Sequence, residues 1–156
     1  LTKTKFTMNR KINECGIILV KNTFDHILII FQNQSLKWGL PKGHLLENEL
    51  MSRAYFDCAK RELLEETGIM LTTHKYKKLG TVCVKDKLFY LIYLPKKIML
   101  RKPIDREEIG GMKWLPILSF QHFVDTYNCN ITLKEYNKYI PIISESHHRI
   151  SNAQMV

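Results

Sequence analysis

The chain has 156 residues, the length of one domain built around a single hydrophobic core. Hydrophobic residues make up 45% of it and charged residues 25%, which is typical of a globular protein. No apolar run approaches the ~20 residues that a membrane-spanning helix needs. The composition therefore excludes an integral helical membrane protein, and we expect no membrane partner.

Four elements are predicted in the first half of the chain: a strand at 15–20, a strand at 26–31, a loop at 41–43 and a helix at 49–67. Asn48 is a candidate N-cap for this helix, and Gly68 stands just past its end. The Pro and Gly of the loop interrupt the regular structure between the second strand and the helix.

The second half is predicted to contain strands at 78–84, 88–94 and 112–115, a helix at about 116–126 and a last helix that begins near Thr132. Pro141 should kink or split the last helix, because proline removes a helical hydrogen bond. The polar residues after Ser144 are expected to be mobile. These elements predict one mixed α/β domain with a core at about 12–144, a short basic N-terminal segment and a mobile C-terminal tail.

The four cysteines stand far apart, at Cys15, Cys58, Cys83 and Cys129. Zinc sites and redox motifs use close pairs of cysteines, so neither is indicated. The first three lie among apolar residues, and we expect buried free thiols in a reducing, cytoplasmic compartment. The many Lys, Asn and Ile residues are compatible with an A+T-rich genome, such as that of a large DNA virus.

Three carboxylates lie close together at Glu62, Glu65 and Glu66, in the string from Arg61 to Ile69. This spacing puts them on one side of a helix, where like charges repel by about 0.2–0.5 kcal/mol per pair. Divalent cations such as Mg²⁺ bind carboxylate and carbonyl oxygens and meet substrate phosphates at such sites. The pattern indicates a metal site; the alternative is a solvated acidic helix face.

Positive charge is concentrated between residues 75 and 102, which contain nine Lys or Arg and a single acid, Asp86. The net charge of the whole chain is +9. A basic region beside an acidic metal site favours a polyanionic substrate that is held by Lys and Arg and cut at the metal. The alternative is that these lysines only keep strand edges soluble.

Together with Gly43, the string from Arg61 to Ile69 resembles the Nudix box, the signature of a family that hydrolyses diphosphate links in nucleotide-like compounds. The resemblance extends over about residues 12–123. It implies a single-domain α/β/α sandwich with a mixed β-sheet, and a pyrophosphohydrolase that depends on Mg²⁺ or Mn²⁺.

The resemblance also assigns roles to individual residues of the box. Arg61 would brace a loop acid against the helix, and Gly68 would end the helix. The implied metal ligands are Glu62, Glu65, Glu66 and the carbonyl of Gly43.

The first half of the box departs from the family pattern. Glu49 stands six residues after Gly43, as expected, but eleven residues separate it from Arg61 where the family has seven. The four extra residues amount to about one helical turn, so we expect a helix that is longer at its start. Glu49 is the expected partner of Arg61, and Glu47 is a rival for this role.

Hydrolysis also needs a group that takes the proton of the attacking water. Glu65 and Glu66 are candidates on the helix. Glu108 is the best candidate outside it, because it precedes an apolar strand that should reach the same end of the sheet. The alternative for Glu107 and Glu108 is a solvated loop.

Four stretches further resemble the catalytic domain of eukaryotic mRNA-decapping enzymes: residues 38–43, 57–62, 91–95 and 106–114. In that family the Glu before the Ile, here Glu108, belongs to the metal site or acts as general base. The implied reaction releases 7-methylguanosine diphosphate from capped RNA and leaves a 5′-monophosphate RNA. The motif at 38–43 also occurs in diadenosine tetraphosphate hydrolases, so it does not decide the substrate.

Basic and aromatic residues supply candidate contacts to an RNA. Those to phosphate are Lys42, Lys96, Lys97, Arg101 and Lys102, with Lys134, Lys138 and Arg149 as an extension of the path. Tyr90, Tyr93 and Trp38 are available to stack on a base, with core packing as the alternative. No obligate protein partner is indicated.

Two other functions stay open. A hydrolase of diadenosine polyphosphates, diphosphoinositol polyphosphates or another small nucleoside diphosphate derivative would also need a basic pocket. A non-catalytic domain that binds RNA or a nucleotide is the third possibility. The intact set of three box glutamates and Arg61 counts against it.

Overall fold

The computed structural model describes residues 11–154, and the predicted short basic N-terminal segment lies outside them. Within this range seven strands form one mixed sheet. They are β1 (Glu14–Val20), β2 (His26–Gln32), β3 (Lys37–Gly39), β4 (Lys42–His44), β5 (Lys77–Val84), β6 (Lys87–Tyr93) and β7 (Ile109–Pro116).

Strand β1 lies at the centre of the sheet, in the order β3-β2-β1-β6-β5. It runs parallel to β6 and antiparallel to β2 and β4, while β7 pairs with β2. All seven residues of β1 are buried, as expected for a strand covered on both faces. The strands predicted at 15–20, 26–31, 78–84 and 88–94 are present as β1, β2, β5 and β6, and they form the antiparallel pairs β1–β2 and β5–β6.

Five helices occur in the described range, with single 3₁₀ turns at Leu71–Thr73, Ile117–Ser119 and Tyr136–Lys138. No helix there combines the length and the apolar composition of a membrane span. The helices are α1 (Glu47–Ser52), α2 (Tyr55–Thr67), α3 (Phe120–Thr126), α4 (Ile131–Lys134) and α5 (Ile140–Gln154).

Two hydrophobic clusters pack on opposite faces of the sheet. Leu63 of α2 belongs to one cluster, together with Ile17 of β1. Ile143 of α5 belongs to the other, together with Ile18 of β1. Successive residues of β1 thus point to opposite layers, and the predicted α/β/α sandwich is confirmed.

The helix predicted at 49–67 is divided in two, which corrects the expectation of a single longer helix. Arg53 has a φ of 55°, in the left-handed region, and ends α1 before α2 begins at Tyr55. In one continuous helix Glu49 and Arg61 would lie about 18 Å apart along the axis. Only the break allows their side chains to meet. Asn48, the predicted N-cap, lies inside α1.

The segment predicted as one helix from about Thr132, kinked or split by Pro141, is split into α4 and α5, but the break precedes Pro141. Pro141 stands in the first turn of α5, where the missing N–H removes no helical hydrogen bond.

The residues predicted to form a mobile tail after Ser144 belong to α5 as far as Gln154. The helix packs against the domain, and the ring of His147 stacks on Phe24 with centroids 4.6 Å apart.

Candidate active site

Arg61 links α1 to the carboxylates of α2. Its guanidinium donates to Glu49 from Nε to Oε2 at 3.1 Å and from Nη2 to Oε1 at 2.9 Å. Nη1 donates to Glu62 at 2.8 Å and to Glu65 at 3.3 Å. The hydrogen bonds from Arg61 to Glu49 hold the pKa of Glu49 below its usual value. Glu49, rather than the exposed Glu47, is therefore the partner of Arg61.

Glu66 is almost completely buried, with 1% of its surface exposed. Its Oε1 accepts a hydrogen bond from the backbone N–H of Lys42 at 2.8 Å. Its Oε2 finds no hydrogen-bond partner among residues 11–154. Burial raises the pKa of Glu66 to about 9, and repulsion from Glu62 and Glu108 adds to the shift. A buried carboxyl group of this kind gains strongly from a nearby cation.

Glu62 lies against the backbone of β4 at Gly43. A Cβ atom at position 43 would overlap the Glu62 carboxylate, so only glycine permits this approach. Burial raises the pKa of Glu62, and the hydrogen bond from Arg61 opposes the shift. The Gly43 carbonyl oxygen lies 3.7 Å from the thiol of Cys58 on α2, so it too faces this helix.

The loop before β7 brings Glu108 to the same cluster. The N–H of Asp105 donates to the Glu65 carbonyl at 3.0 Å, and the N–H of Glu108 donates to the Asp105 carboxylate at 3.0 Å. Burial raises the pKa of both Glu62 and Glu66, and repulsion from the Glu108 carboxylate adds to the shift. Partial burial and Asp105 raise the pKa of Glu108 itself. The carboxylates of Glu62, Glu65, Glu66 and Glu108, all singled out in the sequence, therefore act on one another electrostatically.

The donor set fits a hard divalent cation. No three His, Cys, Asp or Glu side chains within 11–154 already surround a common metal position, and Arg61 stands between Glu62 and Glu65. The unpartnered Oε2 of Glu66 and the raised pKa values of Glu62, Glu66 and Glu108 nevertheless mark a site that a cation would stabilise. Oxygen-only donors suit Mg²⁺ or Mn²⁺.

Lys42, the predicted phosphate contact, is engaged within the protein. Its Nζ lies 2.7 Å from Oε2 of Glu14, and 12% of its side chain is exposed. Burial raises the pKa of Glu14, but Lys42, Lys87 and His44 together bring it below its usual value. Sequence reasoning missed Glu14, because an acid at the start of an apolar strand forms no motif with a lysine 28 residues away.

The four exposed basic residues of the predicted RNA contact share one loop between β6 and β7. The hydrogen bond from Asp105 to Glu65 docks this loop on α2. Gly68 ends α2 with a φ of 77°, as predicted, and the Lys102 carbonyl passes beside it. A cleft of about 560 Å³ opens between the loop and α2. The basic residues are Lys96, Lys97, Arg101 and Lys102, and the cleft is lined by Glu65, Ile104, Asp105, Arg106 and Glu107.

The proposed extension of the basic path lies elsewhere. Lys134 and Lys138 belong to α4 and the turn after it, in the layer on the opposite side of the sheet from α2. Arg149 is on α5 in that same layer, where it donates a hydrogen bond to Ser146 at 3.1 Å. These three residues therefore do not continue the basic loop on the α2 side.

The three aromatic residues considered for base stacking all pack against other rings, as their alternative interpretation predicts. Trp38 meets Phe31 and Phe123 edge to face at 5.3 and 5.8 Å, Tyr90 meets Phe56 at 4.8 Å, and Tyr93 stacks on Phe24 at 4.0 Å.

A family model described as NUDIX domain matches residues 11–128, about three quarters of the chain. The chain belongs to the NUDIX domain family. The predicted class of enzyme, a Nudix pyrophosphohydrolase, is thereby confirmed at the level of the family, whose members generally use divalent cations such as Mg²⁺ or Mn²⁺.

Solved structures of other proteins share the fold at low sequence identity. A Caenorhabditis elegans Ap4A hydrolase binary complex is 14% identical, with a TM-score of 0.58 over 89% of this chain and 98% of that one. DR0079 from Deinococcus radiodurans is 10% identical, with a TM-score of 0.60 over 87% and 82%. MutT from Aliivibrio salmonicida and Vibrio cholerae is 15% identical, with a TM-score of 0.54 over 86% and 98%. At these identities the likeness shows the fold alone.

Proposed function

We propose that this Nudix chain is a divalent-metal-dependent decapping hydrolase. It would cleave capped RNA to 7-methylguanosine diphosphate and a 5′-monophosphate RNA. The observation that carries the proposal is the basic loop docked on α2 at Glu65. The loop carries four exposed cations and reaches the C-terminal end of α2 at Gly68 and Glu65, where an RNA chain leaving the site would need its phosphates neutralised.

Glu62, Glu65, Glu66 and the Gly43 carbonyl would hold Mg²⁺ or Mn²⁺. When bound, the cation supplies charge neutralisation of the diphosphate oxygens and a more acidic water. Arg61, held by Glu49, fixes the carboxylates of Glu62 and Glu65 through hydrogen bonds.

Glu108 is the residue we assign to proton transfer from the attacking water. Partial burial and Asp105 raise its pKa, and a base is more effective when its pKa approaches the operating pH. Its position on the loop before β7, rather than on α2, leaves the box carboxylates available as metal ligands. Glu65 is the second candidate, because it is the most exposed of the box acids.

A small dinucleoside polyphosphate is the alternative substrate. Residues 38–43 carry the motif that diadenosine tetraphosphate hydrolases share, and the fold resembles that of a structure described as an Ap4A hydrolase. The cleft beside Glu65, at about 560 Å³, has the size of a small-molecule pocket. Such a substrate needs the cleft and not the exposed cations of the loop, Lys96, Lys97, Arg101 and Lys102.

The test compares hydrolysis of labelled capped RNA, diadenosine tetraphosphate and a diphosphoinositol polyphosphate, each with Mg²⁺ or Mn²⁺. Release of 7-methylguanosine diphosphate from long RNA, with little release from free cap, supports a decapping enzyme that recognises the RNA body. A preference for either small compound would mean that the basic loop does not serve to bind RNA, and it would overturn the decapping proposal. Binding without hydrolysis of any of the three would favour a non-catalytic domain.

A further inference from the structure

The backbone around Glu108 is held by a residue distant in sequence. The carbonyl of Glu108 accepts the backbone N–H of Asn33 at 2.8 Å. The side-chain Nδ2 of Asn33 donates to the carbonyl of Glu107 at 3.0 Å, across 74 positions of sequence. Asn33 thus binds both carbonyls of this dipeptide, while Asp105 accepts the Glu108 N–H from the other side.

Gly110 makes room for the Asn33 side chain. A Cβ atom at position 110 would overlap Oδ1 of Asn33. The pairing of β2 with β7 changes register between Phe31 and Gln32, so the chain leaves the ladder just before Asn33. Irregularities of this kind re-aim residues beside functional sites.

We propose that Asn33 is a positioning residue of the Nudix site, which acts by holding the backbone at Glu108 so that its carboxylate faces the carboxylates of α2. The inference rests on the proposed role of Glu108 in proton transfer. Asn33 is exposed and belongs to neither hydrophobic cluster, so its truncation leaves the core intact. A displacement of about 1 Å at a reacting group costs up to ~100-fold in rate.

Two substitutions break the contact in different ways. Asn33→Ala removes the side-chain donor but keeps the backbone bond, and Gly110→Ala displaces the amide without removing it. Each is expected to lower kcat about 10-fold, with KM within about twofold of the wild-type value, because orientation and not substrate binding is lost. The assay uses whichever of the three labelled substrates the wild type hydrolyses fastest.

Gln34→Ala is the matched control. It deletes an exposed side-chain amide one residue further along the same turn, and no side-chain hydrogen bond of Gln34 occurs in the described range. Its kcat should equal that of the wild type. An equal loss in Gln34→Ala would assign the effect to the turn as a whole and overturn the role of Asn33.

A double-mutant cycle with Glu108→Gln separates positioning from general stabilisation. If Asn33 acts through Glu108, adding Asn33→Ala to Glu108→Gln causes no further loss of kcat. A full additional 10-fold loss overturns the inference, as does a wild-type kcat in Asn33→Ala. If Glu108→Gln itself keeps the wild-type kcat, the catalytic role of Glu108 fails, and the inference with it. If only Glu108→Gln is impaired, the inference alone fails.

Amide hydrogen exchange followed by NMR in the chelator-treated protein gives a readout independent of turnover. The Glu108 and Ile109 amides should exchange faster in Asn33→Ala and Gly110→Ala than in the wild type or Gln34→Ala. Unchanged exchange in both variants would show that Asn33 does not hold this segment.

Discussion

Arg61 and Glu49 meet through two hydrogen bonds of 3.1 and 2.9 Å that cross the break between α1 and α2. Glu49 also accepts the N–H of Leu46 at 2.8 Å, so one carboxylate ties the loop, α1 and α2 together. The side chain of Glu49 is 9% exposed and that of Arg61 is 25% exposed. Solvent therefore screens this ion pair in part, but the pair is more buried than an ion pair on the protein surface.

Removal of this brace should destabilise the fold. Glu49→Ala is expected to lower the free energy of unfolding by about 2–4 kcal/mol, because it removes the carboxylate that accepts from Nε and Nη2 of the partly buried Arg61 and from the Leu46 N–H. Glu47→Ala deletes an exposed acid two residues away and should change the free energy of unfolding by less than about 0.5 kcal/mol. Urea denaturation measures both, and equal losses would contradict the assignment of Glu49.

The box carboxylates should be required for turnover but not for folding. Glu65→Gln and Glu66→Gln are each expected to lower kcat at least ~100-fold, since each removes a metal ligand or a base. Circular dichroism and a thermal melt should show the fold retained. Near-normal turnover in both variants would contradict the proposed metal site.

Glu66 should make the chelator-treated protein less stable as the pH rises. Its pKa is about 9 in the folded protein and near the ordinary 4.5 in the unfolded chain, so between these values the folded state binds more protons. Its contribution to stability is fully present below about pH 4.5 and is lost as the pH rises through about 9. Urea denaturation with EDTA at pH 5, 7 and 9 measures this loss.

Glu66→Gln is the control for that pH dependence, because glutamine cannot ionise. The variant should lose less stability than the wild type between pH 5 and pH 9. Parallel curves for the two proteins would assign the dependence to other groups.

A bound divalent cation should reverse the effect of pH on the wild type. Since metal ligands must be deprotonated, added Mn²⁺ should raise the Tm more at pH 8 than at pH 6 and release protons on binding. The increase should be smaller in Glu66→Gln. Titration calorimetry in two buffers of different ionisation enthalpy measures the protons released; zero release would count against Glu66 as a ligand.

Charge reversal in the basic loop should weaken binding of RNA and not of a dinucleotide. The pair Lys96→Glu and Lys97→Glu is expected to reduce RNA affinity and the slope of log K against log salt, while hydrolysis of diadenosine tetraphosphate stays unchanged. The full set with Arg101→Glu and Lys102→Glu should enlarge the effect. Equal losses on both substrates would mean that these residues line the cleft or support the fold.

The double substitution Lys134→Glu with Lys138→Glu is a matched control for the Lys96→Glu and Lys97→Glu pair. It also reverses two exposed charges, but in the opposite layer of the sandwich. If binding depends on the loop itself, the control should keep most of the RNA affinity. An equal reduction in the control would point to net charge instead of the loop.

Signals carried by neighbouring residues were sufficient for much of the fold and for the core of the site. Alternating or continuous apolar runs predicted β1, β2, β5 and β6, and Gly68 marked the end of α2. The spacing of Glu62, Glu65 and Glu66 within one helix placed the three carboxylates together. Such features depend on a few consecutive residues and on the helical or strand period, which a single sequence contains.

Contacts between distant residues could not be obtained in this way. The break at Arg53 sets Glu49 against Arg61, Glu14 takes the ammonium of Lys42, and Asn33 holds Glu107 and Glu108 from 74 positions away. Each depends on which strands become neighbours and on where a loop crosses a helix end. Packing of the whole sheet decides those placements, and packing also buries Glu66 and raises its pKa to about 9.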